Sequence, residues 1–163
     1  MADQIISQEF LKEIFDYKDG NLYWIKPLSG KAKHRKIAGN INKKGRSIGI
    51  YNKNYLAHRL IFSWHYGYLP KYIDHIDGNP FNNRIENLRE ATHQQNMCNA
   101  KKPVTNNSGY KNVSWQANLK KWRVRLTINK KSKQFGVYDN IEEANLVAIK
   151  LRKMYFGEFA RDS

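Results

Sequence analysis

The sequence predicts an α+β protein built from small modules. Three observations carry that prediction. Short strand-like runs punctuated by turn dipeptides occupy residues 8–56, a helical apolar pattern follows at 56–67, and three hairpin-spaced strands lead into a long capped helix near the end. The 163 residues include 29 Lys and Arg against 14 Asp and Glu, a net charge of +15. An excess of that size favours a polyanionic partner, DNA or RNA, over an acidic protein or a small-molecule substrate. With 40% hydrophobic and 13% aromatic residues, the chain carries far more core formers than a disordered basic tail. No apolar run approaches the roughly 18 residues of a membrane helix, so no membrane partner is expected. The acidic start MADQIISQEF is expected not to be a secretory signal. The single cysteine, Cys98, excludes a disulfide framework and a cysteine-based zinc site.

Taken in order, runs at 21–26, 37–41 and 46–51 read as strands, separated by Asp19-Gly20, Ser29-Gly30 and Lys44-Gly45 turns. Leu56, Leu60 and Trp64 recur at helical spacing, and Gly67 ends that helix. Residues 72–88 read as a strand edge followed by a turn-rich loop, in which Asp77, Gly78 and Asn79 are turn formers. A short helix at 92–100 starts with Thr92 and Gln95 in capping-box spacing. The polar stretch 100–109, with Pro103 and Gly109, reads as a linker. Strands follow at 110–115, 122–128 and 133–138. The helix at 141–156 has Asn140 and Glu143 as its capping box, Gly157 as its C-cap and Ala144, Val147, Leu151 and Tyr155 as its apolar stripe.

Chemistry-bearing groups concentrate between 74 and 96: Asp74-His75, Asp77-Gly78-Asn79, Asn82-Asn83-Arg84, Asn87-Leu88-Arg89 and Gln95-Asn96. Hydrolysis of a phosphodiester requires a base for water and a divalent cation for the developing charge. Carboxylate and amide oxygens suit a hard cation such as Mg²⁺. The run Ala57-His58-Arg59, Ile73-Asp74-His75-Ile76-Asp77-Gly78-Asn79, Asn83-Arg84-Ile85-Glu86-Asn87-Leu88-Arg89 and Gln95-Asn96 resembles the HNH endonucleases, specifically the phage and intron-encoded homing type. The resemblance implies a ββα-metal fold in which His75 is the general base. It implies that Asp74 and Asn96 hold Mg²⁺ (or Mn²⁺), while Asn87 orients the His75 ring or ties the loop. Asn96 stands where many members have a second His. His93 and Asn99 are rivals for that ligand position, and Asn82 and Asn83 read equally as loop braces or phosphate contacts.

Between 101 and 135 there are ten basic residues and no acid, with Tyr110, Trp115, Trp122 and Phe135 interleaved. On the middle strand Trp122, Val124 and Leu126 share one face, and Arg123, Arg125 and Thr127 share the other. The segment from Ser108 to Trp115, with Lys121–Arg125, Lys133–Tyr138 and Glu142-Glu143-Ala144, resembles the DNA-binding domain of the plant APETALA/ethylene-response-factor class. That resemblance implies a three-stranded antiparallel sheet, packed on one helix, that reads the major groove. Lys111, Ser114 and Lys133 would extend the basic face of Arg123, Arg125 and Thr127. Trp115 reads either as a sugar or base contact or as core. Lys101, Lys102, Lys130 and Lys131 read as phosphate contacts or solvated charges.

The expectations are therefore an N-terminal β-rich extension (1–55), an HNH core (56–100), a linker (101–108) and a DNA-binding domain (109–163). The expected activity is site-specific, metal-dependent hydrolysis of double-stranded DNA by a monomer, nicking rather than breaking both strands, in the cytoplasm of a bacterial or phage-infected cell. The alternative is a non-catalytic phage DNA-binding regulator with a degenerate HNH core. An RNA-binding module is a poor third, because no stacking-platform motif is present.

Overall fold

The computed structural model describes residues 6–100, 102 and 105–162. Lys101 and Pro103 of the expected linker lie outside the described residues. The chain forms two compact units that divide between Ala91 and Thr92. Both mix helices with small antiparallel sheets. Among the described residues no helix is long and apolar enough to cross a membrane.

The first unit opens with a helix that the strand-based reading of 8–56 did not include. In α1 (Gln8–Ile14) the Ser7 side chain accepts from the Phe10 amide, and Leu11 and Ile14 turn inward on one face. Strands β1 (Phe15–Lys18) and β2 (Asn21–Trp24) form a hairpin around Asp19-Gly20. A three-stranded meander follows, with β3 (Asn40–Asn42), β4 (Gly45–Ile50) and β5 (Lys53–Leu56). Helix α2 (Ala57–Tyr66) runs as expected and ends at Gly67 in the left-handed conformation. Strands β6 (Tyr72–His75) and β7 (Leu88–Ala91) pair antiparallel. One core serves these elements apart from β3, whose residues are exposed: Leu11, Ile14, Phe15, Leu22, Ile48, Ile61, Ile73 and Leu88 meet in it.

The second unit contains α3 (His93–Asn99), β8 (Val113–Gln116), β9 (Lys121–Ile128), β10 (Lys131–Tyr138) and α4 (Ile141–Phe156). The sheet order is β10-β9-β8. The α4 boundaries are those the caps specify: Asn140 accepts from the Glu142 and Glu143 amides, and Gly157 follows the last turn. The apolar stripe is rotated from expectation, however. Ala144 and Ala148 are fully buried against Val113, Val124 and Leu126, while Tyr155 is exposed. Two alanines let the helix axis approach the sheet, and larger side chains flank them.

The compact units divide ahead of α3, not in the 101–108 segment. The reason is a set of polar ties within the second unit. Lys111 Nζ donates to the carbonyls of Cys98 and Ala100, the latter at 2.7 Å, and the Asn129 amide donates to Gln94 Oε1 at 3.1 Å.

One further group in this unit escaped the sequence reading. Arg152 lies on the buried face of α4 at 1% exposure. It donates through Nε and Nη2 to Asp162 Oδ1, and through Nη1 to the Lys111 carbonyl at 2.7 Å. A buried guanidinium is tolerated because its donors are met.

Candidate active site

The loop from Ile76 to Asn87 is built almost entirely of polar, turn-forming residues, and its order comes from side-chain amides closing on backbone groups. Asp77 Oδ1 accepts from the Asn79 amide at 2.8 Å, and Asp77 Oδ2 accepts from Asn82 Nδ2 at 2.7 Å. Asn87 spans the loop. Its Nδ2 donates to Asp77 Oδ1 and to the Asn82 carbonyl, its Oδ1 accepts from the Asp77 amide, and its own carbonyl accepts from the Ile76 amide. Partial burial works to raise the Asp77 pKa. The Asn79 amide, the Asn82 and Asn87 side chains and nearby His75 outweigh that and hold it below the ordinary carboxylate value.

Asp74 and His75 end β6, and adjacent strand residues point to opposite faces. Asp74 pairs in register with Arg89 on β7. It is buried at 3% exposure, and its Oδ2 accepts from both Nε and Nη2 of Arg89 at 3.0 Å. His75, on the other face, is only half-buried. Its Nε2 donates to Asn83 Oδ1 at 2.9 Å. The His58 ring from α2 meets His75 edge-on, with centroids 5.0 Å apart. Burial, followed by the positive charge that His75 can carry and that of Arg59, lowers the His58 pKa to about 4, so His58 is neutral near pH 7.

The structure thus brings Asp74, His75 and Asn87 into one loop and strand pair. Of the two roles open to Asn87 it shows the loop tie. A side chain that hydrogen-bonds the His75 ring is Asn83, the one buried residue between Ile76 and Asn87. Sequence reasoning left Asn83 open between bracing and phosphate contact. Its only signal was an amide placed among turn formers. Asn96 and its rivals His93 and Asn99 lie on α3 in the second unit. There Thr92 and Gln95 form the expected reciprocal capping box.

A carboxylate and an amide oxygen are the hard donors that Mg²⁺ or Mn²⁺ takes, usually one or two from the protein with water completing the shell. Asp74 and Asn96 fit that chemistry. Arg89 shares the Asp74 carboxylate. Among the described residues no three His, Cys, Asp or Glu side chains cluster as a metal site.

In the second unit, cross-strand register decides which residues share a face. Arg123 pairs with Ser114, Arg125 with Gln134, and Thr127 with Ser132. These form the outer, polar face. Arg123 Nη2 donates to Ser114 Oγ at 3.3 Å, and Arg125 Nε donates to Ser132 Oγ. Two residues expected on that face, Lys111 and Lys133, lie elsewhere, as does Trp115, which was left open between a base contact and core. Lys133 pairs with Leu126 and so belongs to the helix side of the sheet, with Nζ 5.3 Å from the Phe135 ring centroid. Trp115 pairs with Trp122, also on the helix side, with ring centroids 5.0 Å apart, although half of it is exposed. Lys111 precedes the strand and is engaged by the α3 carbonyls. Burial, then Arg152, depress its pKa. Ser132 and Gln134 take the places assigned to Lys133, because the hairpin turn puts the odd residues of β10 inward up to the irregularity near Gly136.

Comparison with known proteins agrees with the segment that carries this geometry. A family model described as HNH endonuclease matches residues 55–98. Protein 3.8 of Escherichia phage T7 is 40% identical over 97 residues, which cover 58% of this chain and 79% of that protein. An uncharacterized HNH endonuclease of Acanthamoeba polyphaga mimivirus is 37% identical over 124 residues, 74% of this chain and 63% of that protein. No solved structure matches the chain.

Proposed function

Residues 55–98 match the HNH endonuclease family, and from that premise we propose that the chain is a site-specific, divalent-metal-dependent DNA endonuclease of the homing kind. It acts as a monomer on double-stranded DNA and nicks it. The observation that carries the reading is His75. It is a half-buried imidazole at a strand end, held by the Asn83 amide beside a loop closed by Asn87. An imidazole so placed takes a proton from water, which attacks phosphorus in line. The bond to the 3′-oxygen breaks, giving 5′-phosphate and 3′-hydroxyl ends. A bound Mg²⁺ or Mn²⁺, with Asp74 and Asn96 as its protein oxygens, would supply positive charge for the leaving oxygen. Strands β6 and β7 and helix α3 are the ββα elements of this reading.

The outer face of the second unit supplies affinity and register on the duplex. Arg123 and Arg125 reach phosphates and guanine edges, with Ser114 and Thr127 beside them. An APETALA/ethylene-response-factor-like role for this sheet and helix is part of the proposal, as is a place in the cytoplasm of an infected or bacterial cell.

The rival reading is a DNA-binding regulator with an inactive core. It draws on the Asp74–Arg89 ion pair, which accounts for Asp74 without catalysis. Cleavage of supercoiled plasmid and phage genomic DNA separates the two. The endonuclease relaxes plasmid with Mg²⁺ or Mn²⁺ and not with EDTA, and His75→Ala lowers the rate by about 10²- to 10⁴-fold. Salt-sensitive binding with no cutting in either metal establishes the regulator.

A further inference from the structure

We propose that Lys111 is a positioning residue for Asn96: by holding the last carbonyls of α3, it fixes that helix to the sheet that carries Arg123 and Arg125. The inference rests on the reading of Asn96 as a metal oxygen. It goes beyond that reading, because it names what sets the direction of the oxygen. It starts from what α3 lacks. A helix of 7 residues is too short to persist on its own hydrogen bonds. Its first turn is secured by the reciprocal Thr92 and Gln95 cap. Its last turn has no basic residue, and it ends without a left-handed glycine, because Ala100 at the C-cap has φ −59° and ψ 145°. The carbonyls at that end therefore need donors from elsewhere. Lys111 supplies them. Its Nζ donates to the carbonyl of Cys98 and, at 2.7 Å, to that of Ala100. An ammonium at a helix C-terminus also meets the negative end of the helix dipole.

Apolar packing holds α3 incompletely. A cavity of about 810 Å³ is lined by Met97 and Cys98 of α3, by Lys111 and Thr127 from the sheet and the segment before it, and by Phe156 of α4. Where space is left unfilled, close packing cannot fix a helix about its own axis, and directional polar ties take over. There are two such ties. One is the Lys111 ammonium, and the other is the Asn129 amide of the β9–β10 turn, which donates to Gln94 Oε1 at 3.1 Å. Lys111 is itself held. Arg152 Nη1 donates to its carbonyl at 2.7 Å. The next residue, Asn112, is bonded twice to Arg125: the Arg125 amide donates to the Asn112 carbonyl at 3.0 Å, and Asn112 Nδ2 donates to the Arg125 carbonyl at 3.2 Å. A line of contacts thus runs from Arg125 through Asn112 and Lys111 to the end of α3, one turn beyond Asn96. Successive helical residues are turned by about 100°, so fraying or rotation of that end redirects the half-buried Asn96 amide.

The test uses the full chain as wild type and three variants. Lys111→Met keeps the apolar stem and removes the donors, Lys111→Arg keeps donors, and Lys150→Met removes an exposed charge from α4 as a control. In EDTA, amide hydrogen exchange shows α3 protected in wild type. In Lys111→Met the Met97, Cys98 and Asn99 amides exchange about 10-fold faster or more, while β9 stays protected, and Lys111→Arg restores α3. Added Mn²⁺ broadens the Asn96 side-chain amide signal of wild type, identified by its loss in Asn96→Ala. Lys111→Met requires about 10-fold more Mn²⁺ for the same broadening, and about 10-fold more Mg²⁺ for half-maximal cleavage. Its rate at saturating Mg²⁺ approaches that of wild type, and its DNA affinity in EDTA matches that of Lys150→Met. Wild-type α3 amides that exchange as fast as an unstructured peptide overturn the proposal, even if Lys111→Met does not fold. So does a Lys111→Met protein with wild-type exchange in α3 or wild-type metal dependence. If Mn²⁺ leaves the Asn96 signal of wild type sharp, the reading of Asn96 as a ligand fails and takes the inference with it. The exchange data tell that failure from failure of the Lys111 tie.

Discussion

The loop that carries His75 and the sheet that carries Arg123 and Arg125 present polar groups by opposite means. The loop has one buried residue, Asn83, and is held by amides and a carboxylate that bond to one another and to backbone. The sheet face rests on an apolar underside of Val113, Val124 and Leu126 packed on Ala144 and Ala148. Hydrogen bonds are directional and lost whole, whereas apolar contact yields by degrees. The loop is accordingly suited to fixing one imidazole to within tenths of an ångström. The sheet is suited to spreading several cations over a long phosphate backbone, where any one counts modestly.

The contrast breaks first at Arg152, a polar group at the base of the apolar unit. Removing a buried, fully bonded cation leaves Asp162 and the Lys111 carbonyl without their donor. Arg152→Ala is expected to destabilise the second unit by about 3–5 kcal/mol, read as a lower denaturant midpoint. Arg152→Met fills the space without the charge. If it matches wild type, the apolar frame alone holds this unit.

Acid tests the first unit. The folded pKa of His58 is about 4, below its unfolded value near 6.5. Between these values the unfolded chain binds more protons, so stability is at its full value above pH 6.5 and falls as the pH drops towards 4. Since the ring is partly exposed, the loss is about 2 kcal/mol, less than the full shift implies. Unfolding measured from pH 7 to 4 should show that slope, and His58→Gln should flatten it. A burial-lowered His65 adds to the slope in the same direction.

The smallest effect sharpens the description of the sheet. Arg125 is on the outer face and Lys133 on the helix side. Arg125→Ala should weaken DNA binding by about 1 kcal/mol, and Lys133→Ala by less than about half of that. Equal losses in a titration at fixed salt would mean that cross-strand register does not sort the contacts of this sheet.

The same distinction governs what the sequence discloses. Helix α4 was legible to the residue because both its ends are written in local chemistry, Asn140 before it and Gly157 after it. The two faces of β9 were legible because alternation is a property of one strand. Lys133 was misplaced because its side follows from pairing with β9 and the irregularity near Gly136, which no single strand reveals. Helix α1 was overlooked because seven residues give fewer than two turns of periodicity, and strand signals follow at once. In the loop, composition announced a turn-rich segment. Which asparagine reaches the imidazole is a matter of tertiary distance, and Asn82, Asn83 and Asn87 look alike in one dimension.

The β1–β2 and β3–β4 turns meet the loop closely at Gly20 and Gly45, and these contacts bear on how far the motif can travel. A segment cut at residue 55 would retain every residue of the HNH signature. It would lose the two turns that abut Pro80, Asn83 and Arg84, and Tyr17, whose hydroxyl receives the Ile85 amide. For transplantation into another scaffold, the transferable cassette is thus at least the whole first unit continued through α3, which carries Asn96. A domain graft made at the motif boundary would carry the letters of the site without its geometry.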